Sequence, residues 1–207
     1  MENKPKNLEL DRLVFFSDAV VAIAITLLAL DLKLDLRDGD PLTFAAVGHA
    51  WKRFFAFLLS FVYVGVFWIN HHRFFMYIRA IDGALLWYNL GWLLFIVTLP
   101  FSTSLMSAHL PSTTAAVIYC ANTLMITFFQ NQIWDHAAVR PAMLKEPTDP
   151  SIIYAYRLTC NVAMINALLA IAMSFLSPLA AYGTLMLRLP MMWASRKMFK
   201  YAPEARH

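Results

Sequence analysis

The sequence predicts an all-α membrane protein of six transmembrane helices, and three observations lead there. Hydrophobic residues make up 60% of the 207-residue chain and charged residues only 14%, where a soluble domain carries about 25% charged residues. The apolar residues gather into six runs, near 13–32, 50–70, 83–106, 112–134, 155–176 and 177–195. Each is close to the ~20 residues that cross a hydrocarbon core. A segment inside lipid must also satisfy its own backbone hydrogen bonds, which makes each run a helix.

The elements follow in order. Lys4 and Lys6 precede the first run in the manner of a signal peptide. Ser17 and Asp18 interrupt that run, however, and it continues to Leu30, so it reads as a retained helix. Asp31 to Pro41 is rich in Asp, contains Gly39 and reads as a solvated loop. Phe44 to Arg53 is partly amphipathic and suits the membrane interface ahead of the second span. Asn70-His71-His72-Arg73 is expected to end that span. Leu110-Pro111-Ser112-Thr113 is a tight turn, Arg140 to Pro150 is the longest interior connection, and Ser177-Pro178 folds the last two helices into a hairpin. No internal repeat is visible, and residues 1–207 read as a single six-helix membrane domain with no soluble domain attached.

Charge sets the orientation. Thirteen Lys and Arg residues fall on one side: Lys4, Lys6, Arg12, Arg73, Arg79, Arg140, Lys145, Arg157, Arg188, Arg196, Lys197, Lys200 and Arg206. Only Lys33, Arg37, Lys52 and Arg53 fall on the other. The excess places both termini in the cytoplasm. In such a chain a net charge of +4 reports topology and does not point to nucleic acid. Cys120 and Cys160 lie in apolar runs and read as packing residues. Adjacent His71 and His72 point about 100° apart on a helix, and no nearby Cys or Glu completes a metal site. No nucleophile–base spacing or phosphate loop points to an enzyme.

Topology turns scattered polar residues into a layer. Asp18, Asn89 and Asn161 each lie about six residues into an outward-running span, ~9 Å from its inner end. Trp68, Asn70 and His71 close the second span at a similar depth. A buried hydrogen-bond network is expected there, because an isolated carboxylate in lipid costs roughly 3 kcal/mol or more. Around the first helix, Ile23, Leu27 and Leu30 fall within about 60° of one another, and Leu34 joins them if the helix continues. Thr26 sits about 60° from Ile23, and Asp18 about 140° away. Asp18 is therefore expected to face neighbouring helices, opposite the aliphatic stripe.

Arg12-x-x-x-Phe16-Ser17-Asp18 on the first helix, in a six-span chain of this length, resembles the transmembrane protein 175 family. The resemblance implies a potassium-permeable channel, with no cofactor beyond the permeant ion. It implies a homotetramer in the lipid bilayer, with the first helix of each subunit lining a central pore. It makes Ile23, Leu27 and Leu30 a hydrophobic constriction and Thr26 a pore-lining hydroxyl. It assigns Arg12, Phe16, Ser17 and Asp18 to helix packing, alongside Trp68, Asn70, His71 and Asn89. A single six-helix unit resembles the prokaryotic, plasma-membrane form. No Thr-Val-Gly-Tyr-Gly filter is present, so selectivity is not expected to come from a ring of backbone carbonyls. The competing expectation is a secondary transporter or proton-conducting pathway using Asp18, His71 and His72.

Overall fold

The structure is a computed structural model and describes residues 8–34, 41, 43–146 and 148–188. Seven α-helices account for most of them: α1 (Leu8–Leu27), α2 (Phe44–His49), α3 (Trp51–Tyr77), α4 (Gly83–Ala108), α5 (Thr113–Ala138), α6 (Pro150–Ser174) and α7 (Pro178–Met186). Among them, four are long and apolar enough to cross a membrane: α1 with its 3-10 extension to Asp31, α3, α4 and α6. α5 has 26 residues, ample length, but it is more polar. It packs between α4 and α6, and its Asn122, Thr123, Thr127 and Gln130 are buried in the bundle. A helix enclosed by others need not be apolar all round, which is why the run 112–134 can carry Asn122, Asn131 and two glutamines.

Local sequence sets the boundaries. Asp82, Ser112, Asp149 and Ser177 are N-caps, each accepting from a backbone N–H of the first turn. Pro150 and Pro178 occupy first-turn positions, where a missing N–H costs nothing. The Asp149-Pro150 pair starts α6 five residues before the expected 155. α3 does not stop at Asn70–Arg73 but continues to Tyr77, because Asn70, His71, Phe74 and Phe75 are all buried against the bundle. α1 gives way after Leu27 to a 3-10 turn, Leu28–Asp31, so the helix does not carry on to Leu34. The last expected span, 177–195, is described only as far as Arg188, and Lys4, Lys6, Arg37 and most of the C-terminal basic residues also lie outside the described residues. The short α2 is largely exposed ahead of α3, where an interfacial segment was expected.

α1 sits at the edge of the bundle, packed on α4 and α3. Its covered side carries Leu13, Ser17, Val21, Ala24 and Leu28. Ser17 and Ala24 are fully buried, and small residues let membrane helices approach closely. Where α3 ends and α4 begins, the α3–α4 and α5–α6 connections are stitched together. Arg79 N donates to Met143 O at 2.8 Å and Lys145 N to Tyr77 O at 2.9 Å, and His136 Nε2 meets Asp82 Oδ2 at 2.8 Å. The backbone N–H of Leu85 and then His136 hold the Asp82 carboxyl below the usual carboxylate range.

Close packing of α4 on α5 needs Gly91. A Cβ there would stand 2.4 Å from the Phe129 ring, which is itself stacked on Phe95 at 5.8 Å. We expect Gly91→Ala to lower the unfolding free energy by about 1–3 kcal/mol and Phe129→Leu in that background to restore part of it, read by thermal melting in detergent.

Candidate functional site

The structure joins α1, α3 and α4 through two sets of polar contacts. Asn89, fully buried on α4, donates from Nδ2 to Ser17 Oγ on α1 at 2.9 Å. Its Oδ1 lies 2.8 Å from His71 Nε2 on α3 and accepts from it. Ser17 Oγ then donates to Leu13 O at 2.9 Å. The bonds run in one direction, from His71 through Asn89 and Ser17 to a backbone carbonyl. Beside them, Trp68 Nε1 donates to Asp18 Oδ1 at 2.8 Å. Ser17 and Asp18 are consecutive, so both sets grip the same turn of α1.

Aromatic faces hold the donors in place. His71 stacks on Trp92 with centroids 4.2 Å apart and planes 12° from parallel, and Phe75 lies 4.6 Å away. Trp68 stacks on His72 at 5.7 Å. Because α3 extends to Tyr77, His71 lies six residues from its end, ~9 Å, the same depth as Asn89 from the start of α4, whereas α1 begins at Leu8 and places Asp18 ten residues in, not the expected six.

Other expected members fall elsewhere. Arg12 and Phe16 are exposed and align with Ile23 along α1, on the side opposite Ser17. Within the chain they are not part of the hydrogen-bonded layer. Asn70 is buried but makes none of the layer's bonds. Asn161 is exposed and, since α6 starts at Pro150, lies eleven residues in. The neighbouring Asn166 is the packing residue, donating to Thr184 O at 2.8 Å and tying α6 to α7. Arg188, counted with the cytoplasmic basic residues, is buried in the bundle at 3% exposure.

The outer side of α1 is uncovered. Ile23, Leu27 and Leu30 are 60%, 42% and 63% exposed. Thr26 is exposed with them, and its hydroxyl donates to Ile23 O at 2.7 Å. That bond uses the hydroxyl proton and leaves oxygen lone pairs directed away from the helix. The uncovered residues Arg12, Phe16, Ala19, Ile23, Thr26 and Leu30 recur at alternating spacings of four and three. Alternating four and three is the spacing of the seam in helices that pack side by side. The seam was legible in the sequence from Ile23 onward, but its continuation through Phe16 and Arg12 was hidden by reading the motif as one unit. A second buried polar group, Thr103 Oγ1 to Ser60 Oγ at 2.7 Å and Ser60 Oγ with Tyr119 OH at 3.0 Å, escaped sequence reading because lone hydroxyls in apolar runs carry no periodic signal.

Fold and site together define a helical membrane protein: a bundle that clamps one edge helix by its inner face and leaves the other face open. A family model for the endosomal/lysosomal potassium channel TMEM175 matches residues 12–100. A protein named as a potassium channel from Streptomyces collinus is 31% identical over 86% of this chain and 90% of its own length. The crystal structure of a lysosomal potassium-selective channel TMEM175 homolog from Chamaesiphon minutus superposes with a TM-score of 0.80 at 30% identity, covering 91% of this chain and 99% of that one. The human relative, named as an endosomal/lysosomal proton channel, is 29% identical over 67% of this chain and 30% of its length. The chain belongs to the TMEM175 family.

Losing Asn89 leaves His71 and Ser17 without their buried partner. Asn89→Ala is expected to cost about 1–3 kcal/mol, with Asp18→Ala costing less because its partner Trp68 is partly exposed. Thermal stability and oligomer mass in detergent check both.

Proposed function

We propose that the chain is one subunit of a homotetrameric potassium channel in a prokaryotic plasma membrane, with six spans and both termini cytoplasmic. α5 is the fourth of these spans, and α7 lies in the sixth. Four copies of α1 surround a central pore, each turning Ile23, Leu27 and Leu30 inward. Rings of these side chains form a narrow, poorly wetted constriction that opens when the helices move apart and water enters. Thr26 supplies the oxygen ligands that aliphatic rings lack. Arg12 and Phe16 then meet neighbouring copies, while Ser17 and Asp18 hold α1 to its own subunit.

One observation carries this reading: an uncovered aliphatic stripe on the helix that bears the family motif, in a chain whose nearly full-length bacterial relative is named as a potassium channel. The transporter reading needs Asp18, His71 and His72 in one relay. Instead, His71 is buried and bonded to Asn89, Asp18 is bonded by Trp68, and His72 is exposed and stacked on Trp68.

Ile23→Asn is expected to raise unitary conductance, or to weaken potassium-over-sodium selectivity, by about threefold or more, because a polar ring wets the constriction. Planar-bilayer recordings with reversal potentials check it. Unchanged conductance and selectivity in an intact oligomer would remove Ile23 from the pore.

A further inference from the structure

Arg188 is a buried cation with no role in the clamp or the stripe. It lies two residues past the end of α7. Its guanidinium carbon is 4.5 Å from the centroid of Phe67 and 5.5 Å from that of Tyr63. Phe67 is ten residues from the nearer end of α3, so the charge lies ~15 Å inside the bundle. The two aromatic faces stabilise it through their quadrupoles. Yet Nε and Nη1 have no hydrogen-bond partner, and among the described residues no carboxylate forms an ion pair with it. An ionised side chain held in a membrane bundle without a counter-charge is costly to keep.

Its surroundings give that cost a purpose. Among the buried polar contacts of the subunit interior, two side-chain clusters reach α3, and between them Tyr63 OH donates to Leu185 O at 2.6 Å and Gln130 Nε2 to Phe67 O at 2.8 Å. On one side, Ser60 meets Thr103 and Tyr119. On the other, His71 meets Asn89, which reaches Ser17. Ser60 and His71 are eleven residues apart on the same helix, ~16 Å. Tyr63 and Phe67, with Arg188 over them, fall in the gap. Hydroxyls and imidazoles strung through a membrane relay protons once water bridges them. A fixed positive charge in the gap repels any cation or proton that enters, as arginines do in pores that exclude them.

We propose that Arg188 is the charge barrier that closes the polar interior of each subunit to protons and metal cations, confining permeation to the α1 face. This rests on the reading of α1 as the pore helix. The test uses the full chain in liposomes loaded with a pH-sensitive dye, under an imposed pH gradient, with unitary potassium conductance recorded separately in bilayers. Arg188→Gln is expected to raise proton flux about tenfold by removing like-charge repulsion, at unchanged potassium conductance. Arg188→Lys keeps the charge and is expected to stay at the wild-type level. Adding Ser60→Ala and Tyr119→Phe to Arg188→Gln is expected to abolish the leak by breaking the outer cluster. Where Arg188→Gln does not assemble, Arg188→Met repeats the test with a side chain of similar length suited to apolar surroundings, and a smaller rise above the lysine variant is expected. Proton flux at the wild-type level in an assembled neutral variant overturns the proposal. So does an equal rise in the lysine variant, a leak that survives loss of the outer cluster, or a change of unitary potassium conductance in Arg188→Gln that the lysine variant does not share. Absence of potassium current in the wild type would instead defeat the channel reading, while leaving the proton comparison readable.

Discussion

One buried amide sets the orientation of the edge helix. Asn89 bonds α3 through its oxygen and α1 through its nitrogen, and neither bond exchanges with water at that depth. Lipid offers no hydrophobic drive for helices to associate, so packing and interhelical hydrogen bonds choose which face of α1 turns inward. With Ser17 on Asn89 and Asp18 on Trp68, rotation of α1 by even one residue, ~100°, would strand a buried donor or a carboxylate. The aliphatic stripe is uncovered because the polar turn is held.

The motif therefore divides by direction. Its last two residues face the chain's own bundle, and its first two named residues, Arg12 and Phe16, lie in line with Ile23 on the open side. A segment that reads as one unit in sequence serves two surfaces. Small residues support the division: Ser17 and Ala24 allow α1 close to α4, while the bulky Phe16, Ile23 and Leu30 stand out from it.

Much of this was legible in the sequence, for physical reasons. Lipid forces hydrophobic runs of bilayer length, so the helices were visible. The 3.6-residue period placed Asp18 opposite Ile23, and depth counting put Asn89 in a layer with Asp18, although its partner on α1 is Ser17. What was not legible depended on tertiary contact. The polar run Asn70–Arg73 looked like a helix end, yet burial of His71 between Trp92 and Phe75 keeps α3 going another turn. Asn161 has neither the expected depth nor a buried side, because Asp149-Pro150 starts α6 early and turns Asn161 outward. Arg188 looked like one more cytoplasmic cation, since nothing local distinguishes a solvated arginine from one lying over two buried rings.

The central claim is that the clamp at Ser17 and Asp18 turns the opposite face of α1 to the aqueous path. Single cysteines at successive positions from Phe16 to Leu30, tested with a charged thiol reagent on the reconstituted protein, measure that directly. The native Cys120 and Cys160 are buried and give a quiet background. The account predicts reaction at 19, 23, 26, 27 and 30, and protection at 17, 21, 24 and 28. Reaction at the second set with protection of the first, or reaction with no helical period, would contradict it.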